Sequence, residues 1–256
     1  MLEHDVLVIG AGLAGMRAAI AARAGGANTA IISKVHPVRS HSNAAQGGIN
    51  AALTDRGDEW EDHAYDTVKG SDFLGDQDAI EVMCKAAGQA LIDMEHFGVT
   101  FNRDDEGRLG TRAFGGQRRA RTFFVGDFTG QALLHVMFEQ LIKSGVRRYE
   151  EWFVSSLIIE DGQVCGVMAL EIRTGQIYAI RAKTVIFCTG GFGRVFEPST
   201  NALICTGDGT ALAYNAGAEL MDMEMVQYHP TTLAGSGVLI SEAARGEGAH
   251  LLDKDG

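Results

Sequence analysis

Residues 40 to 49 read Ser40-His41-Ser42-Asn43-Ala44-Ala45-Gln46-Gly47-Gly48-Ile49, a polar, glycine-ended loop carrying one imidazole. A neutral imidazole nitrogen is nucleophilic near pH 7 and can also donate, accept or relay a proton. Upstream stands Gly10-Ala11-Gly12-Leu13-Ala14-Gly15. In this G-x-G-x-x-G spacing the first glycine allows a tight turn, the second lets a pyrophosphate approach the backbone, and the third lets a helix pack closely on a strand. The anion then sits at that helix's N-terminus. The pairing of this turn with the His41 loop suggests a flavin, and an imidazole placed to bond to it. A lone loop histidine in solvent is the plainer alternative.

The elements around the glycines are those the motif needs. Asp5-Val6-Leu7-Val8-Ile9 is almost purely apolar and β-branched, as expected of a strand buried on both faces of a parallel sheet. Met16 to Arg23 is alanine-rich and helix-forming, and Ala30-Ile31-Ile32 supplies a second strand. A simple NAD site usually has Asp or Glu about twenty residues past the glycines, against the ribose hydroxyls. Ser33-Lys34 stands there instead, which argues against plain NAD binding.

Further along, the reading is α/β. Helices are expected over Asp78–Phe97 and Gln131–Ser144, separated by an irregular loop rich in Gly and Arg from Asn102 to Gly130. Glu150–Leu157, Leu157–Glu160, Val164–Arg173 and Ile177–Ala182 read as strands of a meander, with Asp161-Gly162 and Thr174-Gly175 as hairpin turns. Thr184 to Phe187, followed by Cys188-Thr189-Gly190-Gly191, returns to the parallel style. Asp208 opens a helix from Thr210 to Ala216, where it can serve as N-cap, meet a cofactor hydroxyl, or do both.

Composition narrows the function classes. The 256 residues are 46% hydrophobic, enough for a sizeable core in one large or two modest domains. A formal net charge of −11 argues against a nucleic-acid partner. Cys84, Cys165, Cys188 and Cys205 have no C-x-x-C spacing, so reduced buried thiols are expected, with neither a metal site nor a disulfide framework. No long apolar run and no basic, apolar leader is seen, so a soluble protein, or one held at a membrane through a partner, is expected. Glycine is in about twofold excess, 33 residues against 3 prolines. Its clusters at Gly10 to Gly15, Gly47-Gly48, Gly115-Gly116, Gly190-Gly191 and Gly207 to Gly209 suit close approach of backbone to one extended ligand, or simply turns.

Taken together these segments resemble the N-terminal part of the flavoprotein subunit of succinate dehydrogenase and fumarate reductase, a family that also includes L-aspartate oxidase. The resemblance covers essentially the whole chain. It rests on Gly10 to Gly15, Ser33-Lys34, Ser40-His41, Ala44 to Gly48, Phe114-Gly115-Gly116, Asp127 with Thr129-Gly130, and Thr206-Gly207-Asp208-Gly209. Gln227-Tyr228-His229-Pro230-Thr231 and Glu242 with Arg245-Gly246-Glu247-Gly248 complete it.

The resemblance implies a Rossmann-like FAD-binding domain over residues 1–232 with an inserted β meander, and the start of a capping domain over 233–256. It implies FAD with its pyrophosphate over Gly10, Ala11, Gly12, Leu13, Ala14 and Gly15, and its ribose near Ser33 and Lys34. The ring system would lie along Ser40, His41, Ser42, Ala45, Gln46, Gly47 and Gly48, and Asp208 would meet the ribityl chain. His41 matches the family's covalent flavin histidine, a bond that raises the flavin's potential. His229 and Ser241 match the substrate-binding pair for a dicarboxylate; most relatives have threonine where Ser241 stands. Gln46 and Phe114 resemble residues lining the pocket. Glu242 and Arg245 match a proton relay and, spaced i, i+3, share a face if helical; a surface ion pair is the alternative.

Family members are about twice this length, so the resemblance implies that the main catalytic arginine lies beyond residue 256. The implied activity is interconversion of succinate and fumarate, with hydride to flavin N5 and electrons passed to an iron-sulfur subunit and a quinone. The implied setting is cytoplasmic, peripheral on the inner face of the cell membrane through iron-sulfur and membrane-anchor subunits. An aspartate oxidase with noncovalent FAD and a non-catalytic FAD-binding module are the alternatives. Aspartate oxidases usually lack a histidine at the position of His41, and the Phe114 to Gly130 stretch fits the dehydrogenases better.

Overall fold

The structure, a computed structural model, describes every residue except Met1, Ala234, Ser236, Gly237 and Glu247, and for Glu242 and Gly246 only the backbone. The elements run β1 (Leu2–Ile9), α1 (Leu13–Ala24), β2 (Thr29–Ser33), β3 (Ile49–Asn50), α2 (Trp60–Gly70), α3 (Gln77–Phe97), β4 (Thr111–Arg112) and β5 (Thr122–Phe123). They continue through α4 (Thr129–Ser144), β6 (Arg147–Glu150), β7 (Trp152–Glu160), β8 (Gln163–Glu171), β9 (Gln176–Phe187), α5 (Asp208–Asn215) and α6 (Glu242–Gly246). The chain forms two compact units, one of Met1–Ala44 with Leu134–Leu239, the other of Ala45–Leu133 with Ile240–Gly256.

The first unit is built on one sheet in the order β6-β2-β1-β9-β8-β7. β1 lies parallel between β2 and β9, and β2 pairs parallel with β6, giving the α/β core expected of the N-terminal run. β8 pairs antiparallel with both β7 and β9. The expected meander is therefore present but is not a separate insert. Its last strand and the expected parallel strand are one continuous β9, which pairs with β8 over Gln176–Arg181 and with β1 over Ile180–Phe187. Likewise the two expected strands meeting at Leu157 are the single strand β7.

Leu7, Ile9, Ala30, Ile32 and Tyr149 of the parallel strands share a buried cluster with Val154, Val167, Ala169 and Ile180 of the meander. Val8 points to the opposite face of β1 and is equally buried, as are Met16 and Ala19 of α1. Covering both faces explains why β1 reads as a continuous apolar run rather than an alternating one.

The second unit contains the packed helices α2 and α3 and a small sheet, β3-β5-β4. This corrects the reading of residues 102–130 as irregular: β4 and β5 lie inside it, each only two residues long. α2 was also not foreseen. Its first turn is acidic, Glu61 and Asp62, and its N-cap residue makes no side-chain bond.

The arginine-rich part of that segment is ordered by a buried ion cluster. Arg121, 1% exposed, grips Asp58 through Nε (2.8 Å) and Nη2 (3.0 Å), and Asp66 through Nη1 (2.6 Å). Arg118 Nε adds 2.7 Å to Asp66. The neighbours of Arg121 in sequence, Thr122 and Phe123, form β5, which pairs with β3 directly after the Gln46–Gly48 loop. The cluster thus fixes the strand on which that loop is hung. Burial alone raises the Asp66 carboxyl, but hydrogen bonds from the Arg118 backbone and side chain and from Arg121 outweigh it and hold it below the usual carboxylate range. Burial and the Arg121 charge push the nearby His63 imidazole down, and its Nδ1 is buried without a hydrogen-bond partner.

Both shifts have the same sign for stability. Each group binds fewer protons when folded, so its contribution is full above its ordinary pKa and is lost as pH falls through the folded value. The second unit is therefore acid-labile, beginning below the ordinary histidine value of 6.5 and steepening through the carboxylate range. Arg121→Leu removes the buried cation shared by Asp58 and Asp66, leaving Asp66 to Arg118 and Asp58 to the more distant Arg119, and should cost up to about 3–5 kcal/mol at neutral pH. It should also flatten the acid limb of a chemical-denaturation series. A loss under about 1 kcal/mol would mean that the cluster does not hold this unit together.

Candidate functional site

In the first unit the glycine turn sits against the end of β9. A Cβ on Gly10, whose φ is +102°, would lie 2.2 Å from the Cys188 carbonyl oxygen. One on Gly15 would lie 1.8 Å from the carbonyl oxygen of Gly10. Both positions are closed to any side chain, which is the close strand–helix packing the motif requires. Gly12 differs: its φ is −76° and the nearest atoms to its Cβ position are Ser42 Oγ at 3.2 Å and Ser40 Oγ at 3.6 Å. The second glycine thus faces two hydroxyls across a short gap rather than a wall of backbone. Ser40 Oγ is buried with no hydrogen-bond partner in the protein, and Ser42 Oγ takes only a long bond, 3.4 Å, from the Leu13 amide. A buried hydroxyl left over beside the N-terminus of α1, whose Gly12 cap supplies no side chain, suits an anionic oxygen. These residues fit the pyrophosphate of a dinucleotide.

At the end of β2, Ser33 is buried and its hydroxyl donates to the Val35 carbonyl at 2.7 Å. Lys34 turns to α5 instead: Nζ lies 2.5 Å from Asp208 Oδ2 and 2.6 Å from Thr206 Oγ1. Asp208 is the first residue of α5 and not its N-cap, which is Gly207 at φ +77°. The N-cap expectation for Asp208 is corrected accordingly, because only glycine takes the left-handed turn there cheaply. Gly209 packs on Thr189, its Cβ position falling 1.9 Å from Thr189 Oγ1, so α5 starts against the same strand end as the Gly10 turn.

His41 is exposed by surface area, yet partial burial by its surroundings still pushes its imidazole below 6.5, leaving it neutral at pH 7. The Ala202 amide donates to His41 Nδ1 at 3.3 Å, so the neutral ring carries its proton on Nε2. Two residues earlier Thr200 Oγ1 accepts from the His229 amide at 2.8 Å, and His229 Nδ1 lies 2.8 Å from the Thr231 carbonyl oxygen. One short loop therefore holds the ring of His41 and the backbone of His229. Thr200 and Ala202 went unnoticed in the sequence, because backbone-directed contacts leave no residue-type signature.

In the second unit Gly47 packs under Phe114: a Cβ on it would meet the ring at 2.7 Å. Gly48, at φ +133°, abuts the Phe123 carbonyl oxygen at 2.5 Å. Thr129 donates to the Gln46 carbonyl oxygen at 3.2 Å, and the Gly130 amide donates to the Ala45 carbonyl at 2.7 Å. Gln46 and Phe114 thus lie on one ordered loop system. Ser241 Oγ accepts from the Ala243 amide at 3.2 Å, capping α6, which carries Glu242 and Arg245 in one turn as their spacing implied. The Glu242 side chain lies outside the described residues. A cavity of about 440 Å³ in this unit is lined by Arg56, Arg108, Arg119 and Arg121, but aspartates already engage them and it holds none of the expected site residues.

A glycine turn closed on β9, an orphan serine hydroxyl at the mouth of α1 and a neutral histidine on the following loop define a dinucleotide-binding α/β protein of the flavoprotein class. The chain belongs to the FAD binding domain family, which matches residues 5–256. It is 52% identical over 257 residues to the fumarate reductase flavoprotein subunit of Mycobacterium tuberculosis, covering 99% of this chain and 44% of the relative. It is 48% identical over 263 residues to the succinate dehydrogenase flavoprotein subunit of Rickettsia bellii, with the same coverage.

Among solved structures it matches a mutated form of E. coli quinol fumarate reductase FrdA, with a TM-score of 0.95 and 41% identity over all of this chain and 44% of that one. It also matches the Mycobacterium smegmatis Sdh1 complex in the apo form, at TM-score 0.90 and 34% identity over 96% and 44%. The chain thus spans less than half the length of the relatives it matches. Among the described residues no helix is long and apolar enough to cross a membrane.

The glycine geometry gives a paired test. Gly25 has φ −74° and no neighbour nearer than 3.4 Å to its Cβ position, so Gly25→Ala should leave stability within about 0.5 kcal/mol of the parent. Gly15→Ala, at the other end of α1, must displace the Gly10 turn. It should cost roughly 1–3 kcal/mol or more by overpacking. Equal melting temperatures for the two variants would show that the turn is slack.

Proposed function

We propose that this chain belongs to the flavoprotein subunit of an enzyme interconverting succinate and fumarate, with FAD held covalently by His41. What supports the reading most is the loop from Ser199 to Ala202, since it anchors both histidines that the resemblance assigns, His41 to flavin and His229 to substrate. Bound FAD supplies a two-electron acceptor able to take a hydride from carbon. The Gly10 turn, Ser40 and Ser42 bind its pyrophosphate, Ser33 and Lys34 lie at its ribose end, and Asp208 meets its ribityl hydroxyls. His41 would supply a ring nitrogen for the covalent bond to FAD.

His229 and Ser241 bind a dicarboxylate, and Gln46 and Phe114 line the flavin and substrate pocket. Arg245 and Glu242, one turn of α6, carry the second hydrogen of succinate away as a proton. In this reading residues 233–256 begin a capping domain, electrons leave to an iron-sulfur subunit and a quinone, and the protein is peripheral at the cytoplasmic face of the cell membrane through those partners.

The substrate assignment is tested with the whole gene product. Succinate, added anaerobically, should bleach the flavin absorbance, and L-aspartate should not; bleaching by aspartate alone would favour the oxidase. Acid-denatured protein should show a fluorescent band on a denaturing gel that His41→Ser abolishes. For the relay, Glu242→Gln should lower kcat by ~10²–10⁴ with little change in melting temperature, as for loss of general acid–base catalysis. Retention of more than about a third of the parent kcat would return Glu242 and Arg245 to a surface ion pair, typically worth about 0–1 kcal/mol.

A further inference from the structure

Lys34 stands where the sequence leads one to look for a ribose-binding acid, and its ammonium is committed elsewhere. It bridges to Asp208 Oδ2 and Thr206 Oγ1, 174 and 172 residues away, while Thr206 donates to the other carboxylate oxygen at 2.9 Å. The lysine and aspartate side chains are 28% and 30% exposed. A partly exposed pair of this kind contributes little to folding stability, so its reason is better sought in what it positions.

Asp208 is pinned on its other side as well. Gly209 is packed on Thr189 at the end of β9, and Gly10 meets Cys188 and Thr189 at the same strand end. The carboxylate therefore projects from a fixed helix start next to the turn fitted to a pyrophosphate. An aspartate beside a doubly charged phosphate group is repelled by it unless a cation offsets the charge. An ionised carboxylate has about four lone-pair sites, and Lys34 and Thr206 take one on each oxygen. The remaining lone pairs stay open to hydroxyl donors.

We propose that Lys34 is a positioning residue that acts through Asp208: it neutralises and orients that carboxylate, so that an acid can serve the hydroxyls of a polyanionic dinucleotide. In this account the Lys34 ammonium acts through Asp208 rather than by bonding a cofactor oxygen itself. The inference rests on the FAD reading above. It adds a dependence between two sites far apart in sequence, the end of β2 and the start of α5.

The test uses the whole gene product in a His41→Ser background, in which flavin is noncovalent and can be removed and titrated back by fluorescence quenching. Lys34→Met should weaken FAD binding by about 10–100-fold, the loss of one charge-assisted partner, and leave the melting temperature of the apoprotein nearly unchanged. Lys34→Arg should bind close to the parent. Combining Lys34→Met with Asp208→Asn should bind more tightly than Lys34→Met alone, because the unbalanced charge is gone. A Lys34→Met protein within about threefold of the parent overturns the proposal, since a cation that orients the site cannot be dispensable. A double variant no better than Lys34→Met also overturns it, by showing that the lysine serves the cofactor directly. A parent that takes up no FAD would overturn the FAD reading itself.

Discussion

The first unit depends on one close approach, that of the Gly10 turn to the backbone of Cys188 at the end of β9. β1 is parallel to both β2 and β9, so its C-terminal end lies between theirs, and the chain must reverse into α1 with no room for a Cβ at Gly10 or Gly15. From that contact follow the direction of α1 and the placing of its N-terminus. Through Thr189 and Gly209 it also sets where α5 begins. The Gly10 turn and the start of α5, far apart in sequence, are thereby gathered at one strand end, the place where ligands bind in parallel-sheet proteins.

The second unit solves a different problem. Its strands are two residues long and cannot order themselves, and its stability leans on packing of α2 against α3 and on the buried Arg121 cluster. Such a cluster is costly to break and contributes little over a well-packed apolar substitute. Its value is geometric: bidentate guanidinium contacts fix the path of residues 118–123, and with it the strand that carries the Gln46–Gly48 loop.

Much of this was legible in the sequence. β1, α1 and β2 were readable because both-face burial and glycine spacing are local signals. α3, α4 and the meander hairpins were readable from periodicity and turn residues. The continuity of β9 was not, since a strand that changes partners midway shows no break in its own residues. α2, β4 and β5 were hidden for a related reason: the arginines that order them look like loop residues until their aspartates, dozens of positions away, are brought alongside. Among the candidate site residues, glycines and His41 announced themselves by type. Thr200 and Ala202 did not, because they act through a hydroxyl on a backbone amide and an amide on a ring nitrogen. Lys34 and Asp208 were each visible as separate candidates near a cofactor, but their ion pair, 174 positions apart, was not.

At the heart of this account, Gly12 and the Ser40 and Ser42 hydroxyls beside the N-terminus of α1 meet the pyrophosphate of a dinucleotide. Gly12→Ala isolates it, because φ −76° suits alanine and the nearest protein atoms to the new methyl are movable serine hydroxyls. FAD should be titrated into the His41→Ser apoprotein with and without this change, alongside a melting curve of each. The expected result is a nearly unchanged melting temperature with FAD affinity reduced more than about tenfold, since the methyl adds bulk at the backbone position that the motif keeps bare for close approach of a pyrophosphate. Equal FAD affinity in the two proteins would contradict the account.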